Sequence, residues 1–158
     1  ISTSGARGLP GPTPEVQRAM LARPRDAQAM LERSVRLFQM IGGPGFPTPA
    51  AELRTRVAAA MARANRPQGV QRQLLAILAD ATRAEQLARI STPTLVIHGR
   101  ADPLVPLAGG EDTARRIPGA RLAVIEGMGH DLPPGVVDRM LPLLLPHFAA
   151  HSLHTSVS

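Results

Sequence analysis

Thr92–Pro134 reads TPTLVIHGRADPLVPLAGGEDTARRIPGARLAVIEGMGHDLPP, and twice in this stretch a titratable residue follows closely on a short apolar run. Leu95, Val96 and Ile97 form the first run, continuous and β-branched in the manner of a strand buried on both faces, and Gly99 closes it. RADPLVP then turns. Helix-compatible residues extend from Gly110 to Ile117, and the second apolar run, Leu122 to Ile125, ends at Gly127. Strand, helix and strand within about thirty residues predict a βαβ unit. Its crossover is right-handed and its strands are parallel, so their C-terminal ends share one edge of the sheet. Asp102 and His130 are therefore expected on the same edge, each in a turn just past a strand.

That placement carries chemistry. A carboxylate beside an imidazole accepts the Nδ1 proton, fixes the tautomer, and stabilises the imidazolium that forms when Nε2 takes a proton from a nucleophile. Open α/β sheets gather their sites at the strand C-termini. Taken singly, Asp102 reads more simply as a turn residue before Pro103 and His130 as a loop residue. It is the pair on one edge that favours a catalytic role.

The segments HGRADPLVP, residues 98–106, and GMGHDLP, residues 127–133, resemble the acid loop (H-G-x-x-D-x-x-V-P) and the histidine loop (G-x-G-H) of the α/β-hydrolase fold enzymes. Asp102 falls on the acid position and His130 on the histidine position. Their order, and a separation of 28 residues that accommodates one helix and one strand, match as well. The resemblance covers the second half of such an enzyme. It implies the C-terminal part of an α/β-hydrolase parallel sheet with an all-helical cap insertion, and a parent enzyme that hydrolyses carboxylic esters or related small acyl compounds without a cofactor. The cap loosely resembles those of bacterial carboxylesterases similar to polyketide methylesterases.

One part of the family pattern is missing. None of the serines, Ser2, Ser4, Ser34, Ser91, Ser152, Ser156 and Ser158, stands in the nucleophile elbow G-x-S-x-G, and no HGGG-like oxyanion segment occurs. In the family both lie upstream, and the chain starts at Ile1 rather than methionine. The expectation is an incomplete protein whose partner is the missing N-terminal half of the same fold. Alone, it should be inactive and poorly folded. The same half-scaffold serves lactonases, C–C bond hydrolases and haloperoxidases, and also epoxide hydrolases and dehalogenases, whose nucleophile is an aspartate. A non-catalytic product, either a helical interaction module or a half-domain that pairs with a separate N-terminal half, is the alternative from another class.

Composition narrows the partners. The 158 residues are 44% hydrophobic and 19% charged, ordinary for a globular domain. Net charge is +6, with all 18 basic residues arginine, which reads as a GC-rich coding bias. These arginines are scattered, and the only aromatics are Phe38, Phe46 and Phe148, so no stacking platform for nucleic acid is present. With no cysteine, disulfides and thiolate chemistry are excluded. The longest apolar run, Met140 to Leu145, is broken by Pro142 and too short to span a membrane. Compartment stays open, with the cytoplasm as the working expectation.

Along the chain, residues 1–12 read as the end of a core strand and a loop, with Ser2, Thr3 and Ser4 in turn roles or facing the pocket. Residues 13–82 read as four helices of a cap. The first starts at Thr13 with Pro14, and the second at Asp26, carrying Met30, Leu31, Leu37, Phe38 and Ile41. Thr48 and Pro49 repeat the first start device before the stripe Leu53, Val57, Ala60, Met61 and Ala64. In the fourth helix Val70, Leu74, Ile77, Leu78 and Ala81 point inward. Between the second and third, GGPGFP (Gly42–Pro47) reads as a hinge or a pocket-edge loop. Cap methionines and phenylalanines are packing material first and pocket lining for an apolar ester-like substrate second.

Residues 83–151 hold the core, ending in a helix over 136–150 that packs with Val137, Met140, Leu141, Leu144 and Phe148 and is strained or ended by Pro146; residues 152–158 form a tail. His98 reads as a packed, hydrogen-bonded residue. His147 and His151 stand at i and i+4, yet no third ligand joins them, and no metal is expected. Asp131 neighbours His130, but consecutive side chains diverge, which leaves Asp102 as the partner.

Overall fold

The computed structural model of the chain describes residues 3–64, 66–80 and 83–151. Expectations for Ile1, Ser2, Ala81 and the tail 152–158 lie outside these residues. So do those for the side chains of Val70, Leu74, Leu78 and His151.

Five helices come first: α1 Pro14–Leu21, α2 Ala27–Ile41, α3 Ala50–Arg63, α4 Pro67–Ala79 and the short α5 Arg83–Gln86, which runs into a 3₁₀ turn at Leu87–Arg89. Local signals set the first two starts. The Thr13 hydroxyl accepts from the Val16 N–H with Pro14 in the first turn, and Asp26 accepts from the Ala29 N–H at 2.7 Å. The third start differs from expectation. Pro49 rather than Thr48 is the N-cap of α3 and no side chain caps it, so this helix owes its position to packing.

That packing is a small apolar cluster: Val35 of α2 packs with Leu53 and Val57 of α3, flanked by Leu31, Phe38 and Met61. Ala60 and Ala64, expected in the α3 stripe, are exposed, as is Ile77 of α4 at 50%. Val35, absent from the expected stripe of α2, is 3% exposed and central.

The remainder is the βαβ unit and a final helix. Strand β1 (Leu95–Gly99) pairs in parallel with β2 (Arg121–Ile125), in register from Leu95 opposite Arg121 to Gly99 opposite Ile125. Helix α6, Leu107–Arg116, makes the crossover and begins three residues before the expected Gly110. A second core forms from Ile97, Ile125, Met128 and Val136, joined by Phe46 from the loop between α2 and α3. Of the strand tail expected over Ile1–Gly5, the described residues 3–5 have no regular structure. The Gly5 N–H donates to Thr3 Oγ1 and the Ala6 N–H to Ser4 Oγ, so the two hydroxyls hold turns.

Helix α7, Pro134–His151, bears out Met140 and Leu144 of the expected packing face and corrects the rest of it. Val136, Met140, Leu143 and Leu144 pack on the sheet core, whereas Val137, Leu141 and Phe148 are 40%, 43% and 60% exposed. The inward stripe follows i, i+4, i+7, i+8 from Val136, with Val136 and Leu143 in place of the expected Val137 and Leu141. Pro146 does not end the helix, and Pro142 lies within it too. Among the described residues, no helix is long and apolar enough to cross a membrane.

Candidate active site

At the C-terminal edge of the two strands the chain makes two loops that interlock. The Arg100 N–H donates to the Ile125 carbonyl at 3.1 Å and the Ala101 N–H to the Met128 carbonyl at 3.0 Å, so the turn after β1 is stitched to the loop after β2. The structure brings Asp102 and His130 together on this edge. His130 Nδ1 lies 2.8 Å from Asp102 Oδ2.

Asp102 is 5% exposed, and every contact of its carboxylate is a donor. Oδ1 accepts from the backbone N–H groups of Leu104 at 2.9 Å and Val105 at 2.8 Å, the geometry of an aspartate closing its own turn. That leaves Oδ2 for the imidazole. A buried carboxylate is tolerated only when hydrogen-bonded, and these three bonds satisfy it. With Oδ2 accepting, the Nδ1 of His130 carries the proton and Nε2 has its lone pair free. The His130 side chain is 27% exposed.

His98 supports the turn from below. It is fully buried, and its Nε2–H donates to the Val105 carbonyl at 2.8 Å, while Nε2 stays 3.7 Å from Asp102 Oδ2. An N–H at Nε2 leaves Nδ1 as an acceptor, which has no hydrogen-bond partner. Nδ1 abuts Gly110 of α6, where a Cβ would stand only 2.5 Å away. His98 is thus the packed, hydrogen-bonded residue expected from its place in the strand.

The histidine loop is pinned by Met128, whose side chain is 0% exposed in the sheet core and pulls the loop against β1. Asp131 turns away from His130 and pairs instead with Arg56 of α3 at 2.5 Å. Sequence reasoning missed Met128, Arg56 and the amides of Leu104 and Val105. An apolar residue inside G-x-G-H was the one visible signal, since a loop of that flexibility holds shape only with an anchor.

Other candidates lie elsewhere. The Ser4 Oγ, buried, donates to Asp112 Oδ2 at 2.5 Å, at the flank of α6 rather than beside His130. Burial would raise the Asp112 carboxyl, but hydrogen bonds from Arg116 and Ser4 and the charges of Arg116 and Arg115 outweigh it and hold it below the usual carboxylate range. Of the cap's apolar residues, Phe38 and Met61 pack in the cap core and Phe46 in the sheet core, while Met20 is 42% exposed.

An acid turn after one parallel strand and a histidine loop after the next can be set beside known proteins. Residues 53–133, about half the chain, match the family model described as Serine aminopeptidase, S33. The chain belongs to this α/β-hydrolase family. It is 33% identical over 146 residues to rhodomycin D methylesterase DnrP of Streptomyces peucetius, covering 90% of this chain and 49% of that relative. A shorter match, 43% identical over 56 residues, links it to a pimeloyl-[acyl-carrier protein] methyl ester esterase of Aromatoleum aromaticum, covering 35% of this chain and 22% of the relative. In structure it is similar to the 2-hydroxy-6-oxo-6-phenylhexa-2,4-dienoate hydrolase of Rhodococcus sp. strain RHA1, with a TM-score of 0.63 and 26% identity over 92% of this chain and 53% of that one. The chain spans about half the length of the curated relatives it matches. Within the α/β-hydrolase fold, what it presents is the helical insertion and the small parallel sheet that carries the acid and histidine loops.

Proposed function

We propose that this chain carries the acid and the base of a carboxylic ester hydrolase. The observation that supports this reading most directly is the Asp102–His130 pair: a buried carboxylate with one oxygen committed to its own turn and the other, at 2.8 Å, to the imidazole. His130 Nε2 would remove the proton from a hydroxyl nucleophile as its oxygen adds to the ester carbonyl. The same proton, returned from Nε2, leaves with the alcohol; water then repeats the sequence and frees the acid. Asp102 stays ionised throughout and stabilises the imidazolium. These steps draw on side chains alone, and the reading calls for no cofactor.

No serine of the chain stands in G-x-S-x-G, so this reading assigns the nucleophile and the oxyanion donors to a preceding half of the same fold. A methyl ester of a largely apolar acid is the substrate class we favour, because two of the relatives it resembles are named as methyl ester esterases. The test is hydrolysis of a panel of methyl and p-nitrophenyl esters by this chain and by a version extended upstream, each with a His130→Ala control. The reading expects activity only in the extended protein and its loss in the control. A folded but inert extended protein would sink it.

A further inference from the structure

The loop between α2 and α3 lies directly on the histidine loop, backbone against backbone. The His130 N–H donates to the Ile41 carbonyl at 2.6 Å, the Gly129 N–H to the Gly42 carbonyl at 3.3 Å, and the Gly45 N–H to the Gly127 carbonyl at 2.9 Å. Ile41 ends α2, so its carbonyl is one of those a helix terminus leaves without an internal partner. Nothing larger than glycine fits between the two strips of chain. A Cβ on Gly43, whose φ is +81°, would stand 2.2 Å from the Gly129 nitrogen, and one on Gly129 would stand 2.1 Å from the Ile41 oxygen.

A second tie lies one residue further on. Arg56 of α3 pairs with Asp131 at 2.5 Å, and its guanidinium sits 5.5 Å from the centre of the Phe38 ring, which packs in the cap core. Phe46 from the same loop is driven into the sheet core beside Met128. The histidine loop is therefore held from below by Met128 and from above by α2 and α3.

We propose that the cap is the seat of the histidine: residues 41–45 and Arg56 are positioning elements that fix the backbone of His130 so that its Nδ1 meets Asp102. An α2–α3 pair that swung away would carry His130 off its acid. The GGPGFP segment is a clasp rather than a hinge, and any opening of the site has to come from other parts of the cap. Calling the seated histidine catalytic rests on the reading given under Proposed function; the seating itself does not.

Two measurements on the intact protein carrying this chain test it. In the first, amide hydrogen exchange should show His130, Gly129 and Gly45 protected by at least about 100-fold, and Arg56→Ala should lower all three together while Arg56→Lys restores part of the loss. Exchange of these amides at free-peptide rates, with the amides of β1 still protected, would overturn the proposal. In the second, the His130 Nδ1 proton is followed by NMR in Gly45→Ala, whose new methyl would stand 2.9 Å from the Gly127 Cα and pry the loops apart without changing charge.

Its exchange with water should quicken about tenfold or more, while Gly11→Ala, with nothing nearer than 3.8 Å, leaves it unchanged. A folded Gly45→Ala protein with an unaltered Nδ1 proton would equally overturn the seating. Should Gly45→Ala fail to fold, the amide result decides. Asp102→Asn separates the two readings: if it leaves the Nδ1 proton untouched, the acid–base pair falls and the amide result still stands for the clasp.

Discussion

His98 and Val105, seven positions apart, close the acid turn between them: the buried imidazole donates from Nε2 to the Val105 carbonyl at 2.8 Å. Val105 in turn donates its own N–H to Asp102 Oδ1 at 2.8 Å. The strand residue below and the carboxylate above are thus tied to the two successive peptides that flank the Val105 Cα. Replacing His98 by Phe fills the same space but leaves the Val105 carbonyl without its donor. That should cost about 1–3 kcal/mol, read as a lower urea midpoint at constant slope, with His98→Gln recovering part of it because its amide nitrogen can reach the same carbonyl. A Phe variant as stable as the parent would show that the bond does not hold the turn.

Asp102 bears on the tautomer as much as on charge. In Asp102→Asn the amide oxygen can keep the N–H groups of Leu104 and Val105, which turns the NH₂ toward His130 Nδ1. The ring then has to accept at Nδ1 and hold its proton on Nε2, where it cannot take one from a nucleophile. On the proposed function, ester hydrolysis by the intact protein should fall by about 10⁴-fold in kcat with little change in KM. A loss under tenfold would remove Asp102 from the mechanism.

Residue pattern made the strand–helix–strand unit legible because its apolar runs are continuous and its turns carry glycine and proline, signals that act within a few residues. The Asp102–His130 pair followed from topology, since parallel strands bring both loops to one edge. What pattern could not reach was set by contacts between distant segments. The face of α7 matches expectation at Met140 and Leu144 but opens on Val136 rather than Val137, because Val136, at the helix start, is drawn into the core with Met128 and Phe46. Thr48 lost its capping role because α3 is positioned by Leu53 and Val57 against Val35. The Ile41–His130 bond joins backbone atoms 89 positions apart in order of sequence and leaves no mark on residue type except the glycines that permit it.

Met128 tests how much the histidine loop depends on its anchor. Its side chain is 0% exposed and sits with Ile97, Ile125 and Val136, so Met128→Ala should cost about 2–5 kcal/mol of stability. Leu53→Ala in the cap core, 1% exposed, should cost a similar amount. The two ought to differ in a second readout. Under conditions where both proteins remain folded, Met128→Ala, which removes the loop's own anchor, should quicken exchange of the His130 Nδ1 proton more than Leu53→Ala, which reaches the loop only through the α2–α3 seat. A larger effect from Leu53→Ala would mean that the α2–α3 seat, rather than the loop anchor, dominates.

Asp112 gives the chain an acid-sensitive joint. It is 2% exposed and receives Ser4 at 2.5 Å, Arg116 at 2.5 Å and Arg115, tying residues 3–5 to the crossover helix. Arg115 is largely solvated and adds little. With the folded-state carboxyl held below its ordinary range, the unfolded chain binds the proton more readily as pH falls. The stabilisation is therefore complete above the ordinary aspartate value, about 3.9, and is lost as pH drops through it toward the depressed folded value.

Asp112→Asn should be less stable than the parent by about 1–3 kcal/mol at pH 7, and the gap should narrow as pH falls below about 4, because the parent loses what the variant never had. Urea midpoints taken from pH 7 down to about pH 3 would show it. A gap that stays constant over that range would mean that the Asp112 carboxylate is not held below its ordinary range, and that Ser4 and Arg116 bind it no better than water does.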